Sequence, residues 1–258
     1  MIRTTLHQSR YDLRAFLRNR QSQFFTLALP ILFLVILGSV FGGRGNTAQV
    51  PGGQIPVSVY YVPGIMALGV IAACFGNLVA SVTAQRERGV LKRRRATPVP
   101  AAAIIAGRVL VAIVIAVAIA AALLGIGWAA YGAHVPGRTA AALAVTVVIG
   151  AASFCCLGYA LTSLIRNEDA ALPTATAITL PLYFISGVFV AITVLPQWLA
   201  DLGQIFPVRH LADALLVAYN PHTTGLGFAG RDLLIVAAWG AAGLLIAVRK
   251  FSWLPLGR

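Results

Sequence analysis

The sequence predicts an all-α integral membrane protein: six transmembrane helices, an N-terminal interfacial amphipathic helix, and a short re-entrant outer helical segment before the last span. Three observations predict it. Of 258 residues, 59% are hydrophobic and only 10% are charged, less than half the charged share of a soluble domain. So few charges cannot cover a water-soluble fold of this length. The apolar residues also gather into runs that reach the roughly 20 residues a bilayer-crossing helix needs, and the basic side chains fall mostly on one side of those runs. An ordinary cytosolic enzyme, a disordered chain and a secreted disulfide scaffold are thereby excluded. The net charge of +13 fits positive-inside topology and anionic headgroups better than nucleic acid, for which no partner role is expected.

Residues 1–258 read as a single transmembrane domain. Residues 1–22 form the interfacial helix. Ile2, Leu6, Leu13, Phe16 and Leu17 fall within an arc of about 100° on a helical wheel, beside a stripe of Arg3, Arg10, Arg14 and Arg18. That pattern suits a helix lying flat on a membrane surface; a basic tail that only sets topology is the plainer alternative. Residues 23–43 are the first span, too long for a signal-peptide core and therefore retained. Residues 42–56, rich in Gly, Pro and Gln, read as a loop. The second span is 61–84, ending where charges begin at Arg86. The third is 101–131, with Arg108 snorkelling toward headgroups; the fourth is 139–165, the fifth 169–190 and the last 232–250.

Between the last two, residues 191–220 are semi-apolar but interrupted by Pro196, Asp201, Pro207, Arg209 and Asp213, which argues against a full crossing. Trp198 suits a membrane interface. One or two short helices dipping into the outer leaflet fit this segment, and a plain extracellular loop is the alternative. Summing Lys and Arg by side puts 16 with the termini and the 85–98 loop and 4 opposite. Both termini are therefore expected in the cytoplasm of a multi-pass protein of the cell membrane.

Several chemistries are missing. A phosphate-cradling loop needs Gly-x-x-x-x-Gly-Lys-Ser/Thr; the chain has only Lys92 and Lys250, and neither follows a glycine. No ATP hydrolysis, no catalytic residue and no cofactor are expected in this chain. Its four histidines, His7, His134, His210 and His222, are scattered, and Cys74, Cys155 and Cys156 lie in apolar stretches, so no metal site and no structural disulfide are expected. Acids cluster at span ends (Glu168, Asp169, Asp232), which weakens a proton-driven mechanism. No internal repeat of the kind common in secondary carriers is evident. Two polar stripes do occur at helical spacing: Cys74, Asn77, Ser81 and Gln85 in span two, and Thr176, Thr179, Tyr183 and Ser186 in span five. Each should face protein or a cavity rather than lipid. Interhelical hydrogen bonding is the plainer use, and lining a substrate pathway the sharper one.

The 85–98 loop carries the strongest signal. Six of its first eleven residues are basic, with one acid, Glu87, and Pro98 and Pro100 stop any helix before the next span. A headgroup anchor would satisfy the charge alone. Glu87, the mid-loop Gly89 and the Ala96-Thr97-Pro98 ending favour a rigid knob that meets a soluble partner. Glu87-Arg88-Gly89-x-Leu91 leading to Arg95-Ala96-Thr97-Pro98 resembles the loop of type-2 ABC exporter permeases, in particular the daunorubicin-resistance-type drug permeases. Phe184-Ile-Ser-Gly-Val-Phe-Val190, Leu195-Pro-x-Trp198, Phe206-Pro-x-Arg-His210 and Ala212-Asp-Ala214 resemble that family's fifth span and outer segment.

The resemblance implies that Arg86, Glu87, Arg88, Gly89, Leu91, Arg95, Thr97 and Pro98 dock on a separate ATP-binding cassette subunit that binds ATP and Mg. It also implies a second permease copy and export of a hydrophobic or amphipathic drug or lipid-like compound. Two other classes stay open at this point: an ion-gradient-driven secondary carrier and a non-transporting membrane scaffold.

Overall fold

The structure, a computed structural model, describes residues 2–43, 45–96 and 99–252. Thr97 and Pro98 of the expected docking loop lie outside the described residues, as do Arg44 and Arg258 of the charge count. The chain is helical almost throughout. α1 (Ile2–Arg18) and the single turn α2 (Arg20–Gln23) run through a π-helical turn, Phe24–Ala28, into α3 (Leu29–Phe41). The wide turn has a local cause. Pro30 has no N–H for the carbonyl four residues back and its ring crowds that carbonyl, which one extra residue in the turn relieves.

Where residues 42–56 were expected to be a loop, a hairpin forms instead. β1 (Thr47–Val50) pairs antiparallel with β2 (Gly53–Pro56), Val50 opposite Gly53. The turn is Pro51-Gly52, with Gly52 at φ +90°; proline followed by a left-handed glycine is turn chemistry. The all-helical expectation is corrected to that extent.

α4 (Val57–Ile71), a second π-helical turn Ala72–Gly76 and α5 (Asn77–Glu87) make one helix of 31 residues. It starts directly after Pro56, before the expected Tyr61, and its last turn contains Gln85, Arg86 and Glu87, which the sequence reading had assigned to the loop. Gly89, at φ +68°, then turns the chain into the short α6 (Val90–Arg95). α7 (Ala101–Tyr131) begins after Pro100 and is closed by Gly132 at φ +62°, a left-handed helix cap. α8 (Ala140–Thr162) and α9 (Ala171–Ile185) follow. Next come a 3-10 turn at Ile192–Val194, α10 (Gln197–Gly203), α11 (Pro207–Tyr219) and finally α12 (Gly230–Lys250). Among the described residues four helices are long and apolar enough to cross a bilayer: Val57–Glu87, Ala102–Tyr131, Ala140–Thr162 and Gly230–Lys250. Thr26–Phe41 and Ala171–Ile185 are apolar but shorter. The latter provides about 22 Å of helix against a hydrocarbon core of about 30 Å.

α4 is the hub. Every side chain from Tyr61 to Ile71 is buried, with α3, α7 and α11 packed around it. α11 is wedged against α4, α8, α9 and α12, and its Leu211, Leu215 and Tyr219 are fully buried. α1 lies on the start of α7, brought close by Gly107, where an added Cβ would stand 3.3 Å from the Thr5 carbonyl. The seated face of α1 is offset from the expected arc: Asp12 is buried and Leu13 and Phe16 touch the core, while Leu17 is 59% exposed.

The closest helix pair is α8 with α12. A Cβ on Gly240 would stand 2.8 Å from Ser153 Cα, and one on Gly243 2.9 Å from the Leu157 backbone nitrogen, so the two backbones touch, as small residues allow in lipid. Gly243→Val is expected to pry the pair apart and destabilise the fold by about 1–3 kcal/mol. Thermal unfolding of the purified chain in detergent measures this, and an unchanged midpoint would contradict the seam.

Candidate functional site

The end of the bundle that carries the start of α7 and the end of α8 is held by a ring of charged contacts centred on the α5–α6 elbow. Arg86 is the most deeply buried of them, at 0% exposure. Its Nη1 donates to the Thr162 carbonyl at 2.7 Å and its Nη2 to the Ile165 carbonyl. Thr162 is the last residue of α8, where helix carbonyls lack partners and partial negative charge accumulates, and Ile165 lies three residues beyond it. The next residue, Glu87, accepts the backbone N–H of Glu168. Arg88 then grips the Glu168 carboxylate with two hydrogen bonds, Nη2 at 2.6 Å and Nε at 3.2 Å. Three successive side chains thus strap the elbow to the α8–α9 connection.

Two further contacts hold it from the other side. Arg94 on α6 pairs with Asp12 on α1 at 3.0 Å. Arg108 on α7 donates to the Gln85 side-chain oxygen at 2.6 Å. Leu91, at 3% exposure, seats α6 in the core. What remains turned outward is basic: Arg88, Lys92, Arg93 and Arg95 are exposed, with Glu87 beside them.

The expected docking residues therefore divide. Arg86 and Leu91 face inward, Glu87 and Arg88 hold the chain's own α8–α9 connection from an exposed position, and Gly89 supplies the turn. Sequence reasoning missed Asp12, Thr162, Ile165 and Arg94 as partners; the only signal available was the placement of Glu168 beside the arginines at the same membrane face.

The two polar stripes do not converge. Asn77, Ser81 and Gln85 line a cleft between α1, α5 and α7. Cys74 is buried away from it, its thiol 3.6 Å from the Ala112 carbonyl. On α9, Thr176 is exposed, Thr179 bonds back to the Ala175 carbonyl at 3.0 Å, and Tyr183 is buried against Phe189; just past the helix, Ser186 is buried beside α4 and α11. Among the described residues Ser186 Oγ has no hydrogen-bond partner.

At the opposite end a second polar knot fixes α11. His210 contacts the Asp232 carboxylate through Nδ1 at 2.7 Å and the Gln204 carbonyl through Nε2 at 2.8 Å. Both partners are acceptors, so both contacts are hydrogen bonds only in the imidazolium form. Arg209 pairs with Asp213 one turn on; burial raises the Asp213 carboxyl above the usual carboxylate range, and Arg209 opposes the shift. Asn220 and His222 tie the β-hairpin down, through the Pro51 and Gln54 carbonyls. Among the described residues no group of three or more His, Cys, Asp or Glu is placed to hold a metal ion.

A multi-pass helical membrane bundle with a short basic helix pinned at one end, and no phosphate-binding loop of its own, defines the class of membrane-embedded transport components. A family model for the ABC-2 type transporter matches residues 8–220, and the chain belongs to that family. It is a type-2 ABC permease and not itself an enzyme. It is similar to the "Probable multidrug ABC transporter permease YbhR" of Escherichia coli K12, with 28% identity over 155 residues, 60% of this chain. The protein of the same name from Escherichia coli O157:H7 matches equally. The matched stretch spans 42% of the relatives' length.

Proposed function

We propose that this chain is the permease half of an ATP-driven exporter, crossing the membrane six times with both termini in the cytoplasm. A hydrophobic or amphipathic compound, drug-like or lipid-like, is moved outward. The energy comes from a separate ATP-binding cassette subunit, which holds ATP and Mg. The single observation that carries this reading is the elbow: α6 offers a basic outer surface, while Arg86, Glu87 and Arg88 strap its base to the α8–α9 connection. A push on α6 is therefore passed to the start of α9, and a two-state bundle needs only such a bias to change form.

In this reading Arg88, Lys92, Arg93 and Arg95 meet an acid-lined groove on the partner. A second permease copy stands against the exposed apolar face of α9, where Leu172, Ile178, Leu180 and Phe184 are uncovered. Asn77 and Ser81, opening on a cleft, and Thr176 on that face belong to the pathway; Cys74, Thr179 and Tyr183 serve packing. The interfacial helix of residues 1–22 and the coupling loop of residues 85–98 lie at the cytoplasmic surface, and residues 191–220 re-enter from outside.

The test is reconstitution with a P-loop subunit encoded beside this chain. Transport that needs ATP and survives collapse of ion gradients is expected. Transport abolished by gradient collapse with ATP intact identifies a secondary carrier, and a chain that never recruits an ATPase identifies a scaffold.

A further inference from the structure

The basic end contains a cleft of about 160 Å³ whose walls include Asp12, Phe16, Asn77, Ser81, Gln85 and Arg108. Two of these carry unspent chemistry. The Asp12 side chain is 7% exposed; its Oδ1 pairs with Arg94, but among the described residues its Oδ2 has no hydrogen-bond partner. Arg108 is half-buried and bonds the neutral Gln85 amide, and among the described residues no carboxylate pairs with it. A buried acceptor oxygen left bare is costly, and a cation matched only by an amide retains its attraction for an anion. Of the remaining wall, Leu78, Val111 and Ile115 with Phe16 form an apolar strip, and Asn19 is polar.

We propose that this cleft binds an aminophospholipid of the adjacent leaflet. Its ammonium donates to Asp12 Oδ2, its phosphate lies against Arg108, and the start of an acyl chain runs along Phe16, Leu78, Val111 and Ile115. The headgroup selectivity follows from the donors. A choline headgroup has no N–H for Asp12. A glycerol headgroup satisfies Arg108 but brings no positive charge to the carboxylate. Only a headgroup with both an ammonium and a phosphate completes both walls.

The site also has a consequence for α6. Asp12 holds the headgroup with one oxygen and Arg94 with the other, so occupancy bears directly on the contact between α1 and the elbow. The inference concerns the same cleft that the exporter reading gives to the pathway through Asn77 and Ser81, but its test reads bound lipid and not transport, so the two readings fail separately.

Native mass spectrometry of the full, delipidated chain titrated with phosphatidylethanolamine, phosphatidylcholine or phosphatidylglycerol provides that test. One saturable site is expected, with phosphatidylethanolamine favoured roughly tenfold over either other lipid, the scale of one charge-assisted hydrogen bond. Arg108→Gln should weaken phosphatidylethanolamine and phosphatidylglycerol alike. Asp12→Asn should erase the preference for phosphatidylethanolamine over phosphatidylcholine. Because Asp12 also holds α6, Ser81→Leu is the second variant: it fills the cleft, leaves both ion-pairing groups in place, and should abolish the saturable site. Equal binding of the three lipids, tighter phosphatidylglycerol, or undiminished binding in Ser81→Leu would each overturn the proposal.

Discussion

Arg86→Met is expected to destabilise the protein by about 3 kcal/mol or more, since each hydrogen bond to a charged donor is worth about 1.5–3 kcal/mol and the Thr162 and Ile165 carbonyls would be left without donors. Methionine matches the length of the arginine stem but offers nothing to either carbonyl. With a shift of about 2–4 °C per kcal/mol for a chain of this size, the unfolding midpoint in detergent should fall by roughly 6–12 °C. Arg86→Lys is the informative companion. A single ammonium lacks the forked donors that reach two carbonyls at once, so it should recover part of the loss. An Arg86→Met protein as stable as the parent would mean that the buried guanidinium is incidental to the fold.

Glu87→Arg should act on coupling instead. The substitution removes the acceptor for the Glu168 N–H and places a third positive charge between Arg86 and Arg88, loosening the elbow from the α8–α9 connection. Membrane insertion should persist, because no span changes. Export per ATP hydrolysed by the partner should fall by roughly 5- to 150-fold, the range of a coupling energy of about 1–3 kcal/mol. The measurement is transport and hydrolysis in the same vesicles. A normal ratio of the two in Glu87→Arg would remove the strap from the mechanism.

Much of this architecture was legible in residue order. α7 is a clear instance: Pro100 and Gly132 bracket an apolar run whose one charge is Arg108, and the helix occupies residues 101–131. Short-range signals of this kind, a proline before a helix and a glycine after it, act within a few residues and leave a local trace. The hairpin left a trace too, Pro51-Gly52, but glycines on either side of it made the whole segment read as loop.

The candidate site was legible only in part, because its contacts join residues about 80 positions apart. Glu87 looked like a surface acid awaiting a partner, and it holds a backbone N–H of its own chain. Nothing in the sequence singles out Asp12. Its burial is set by Arg94 and by the seat of α1 on α7, and neither is visible to periodicity. The two polar stripes were visible as stripes, yet which neighbour each would face depended on helix packing, and they face different ones.

The glycine seam between α8 and α12 has one more consequence. Two backbones in direct contact cannot slide or rotate independently, so this pair forms a fixed post. α9 is the opposite case: short, with Pro181 inside it, uncovered along one side, and reaching the post through the α8–α9 connection and through α5 and α11, which pack against both. In the exporter reading, movement is therefore expected to concentrate at α9, the least enclosed of these helices, with the elbow pressing on the connection at its start.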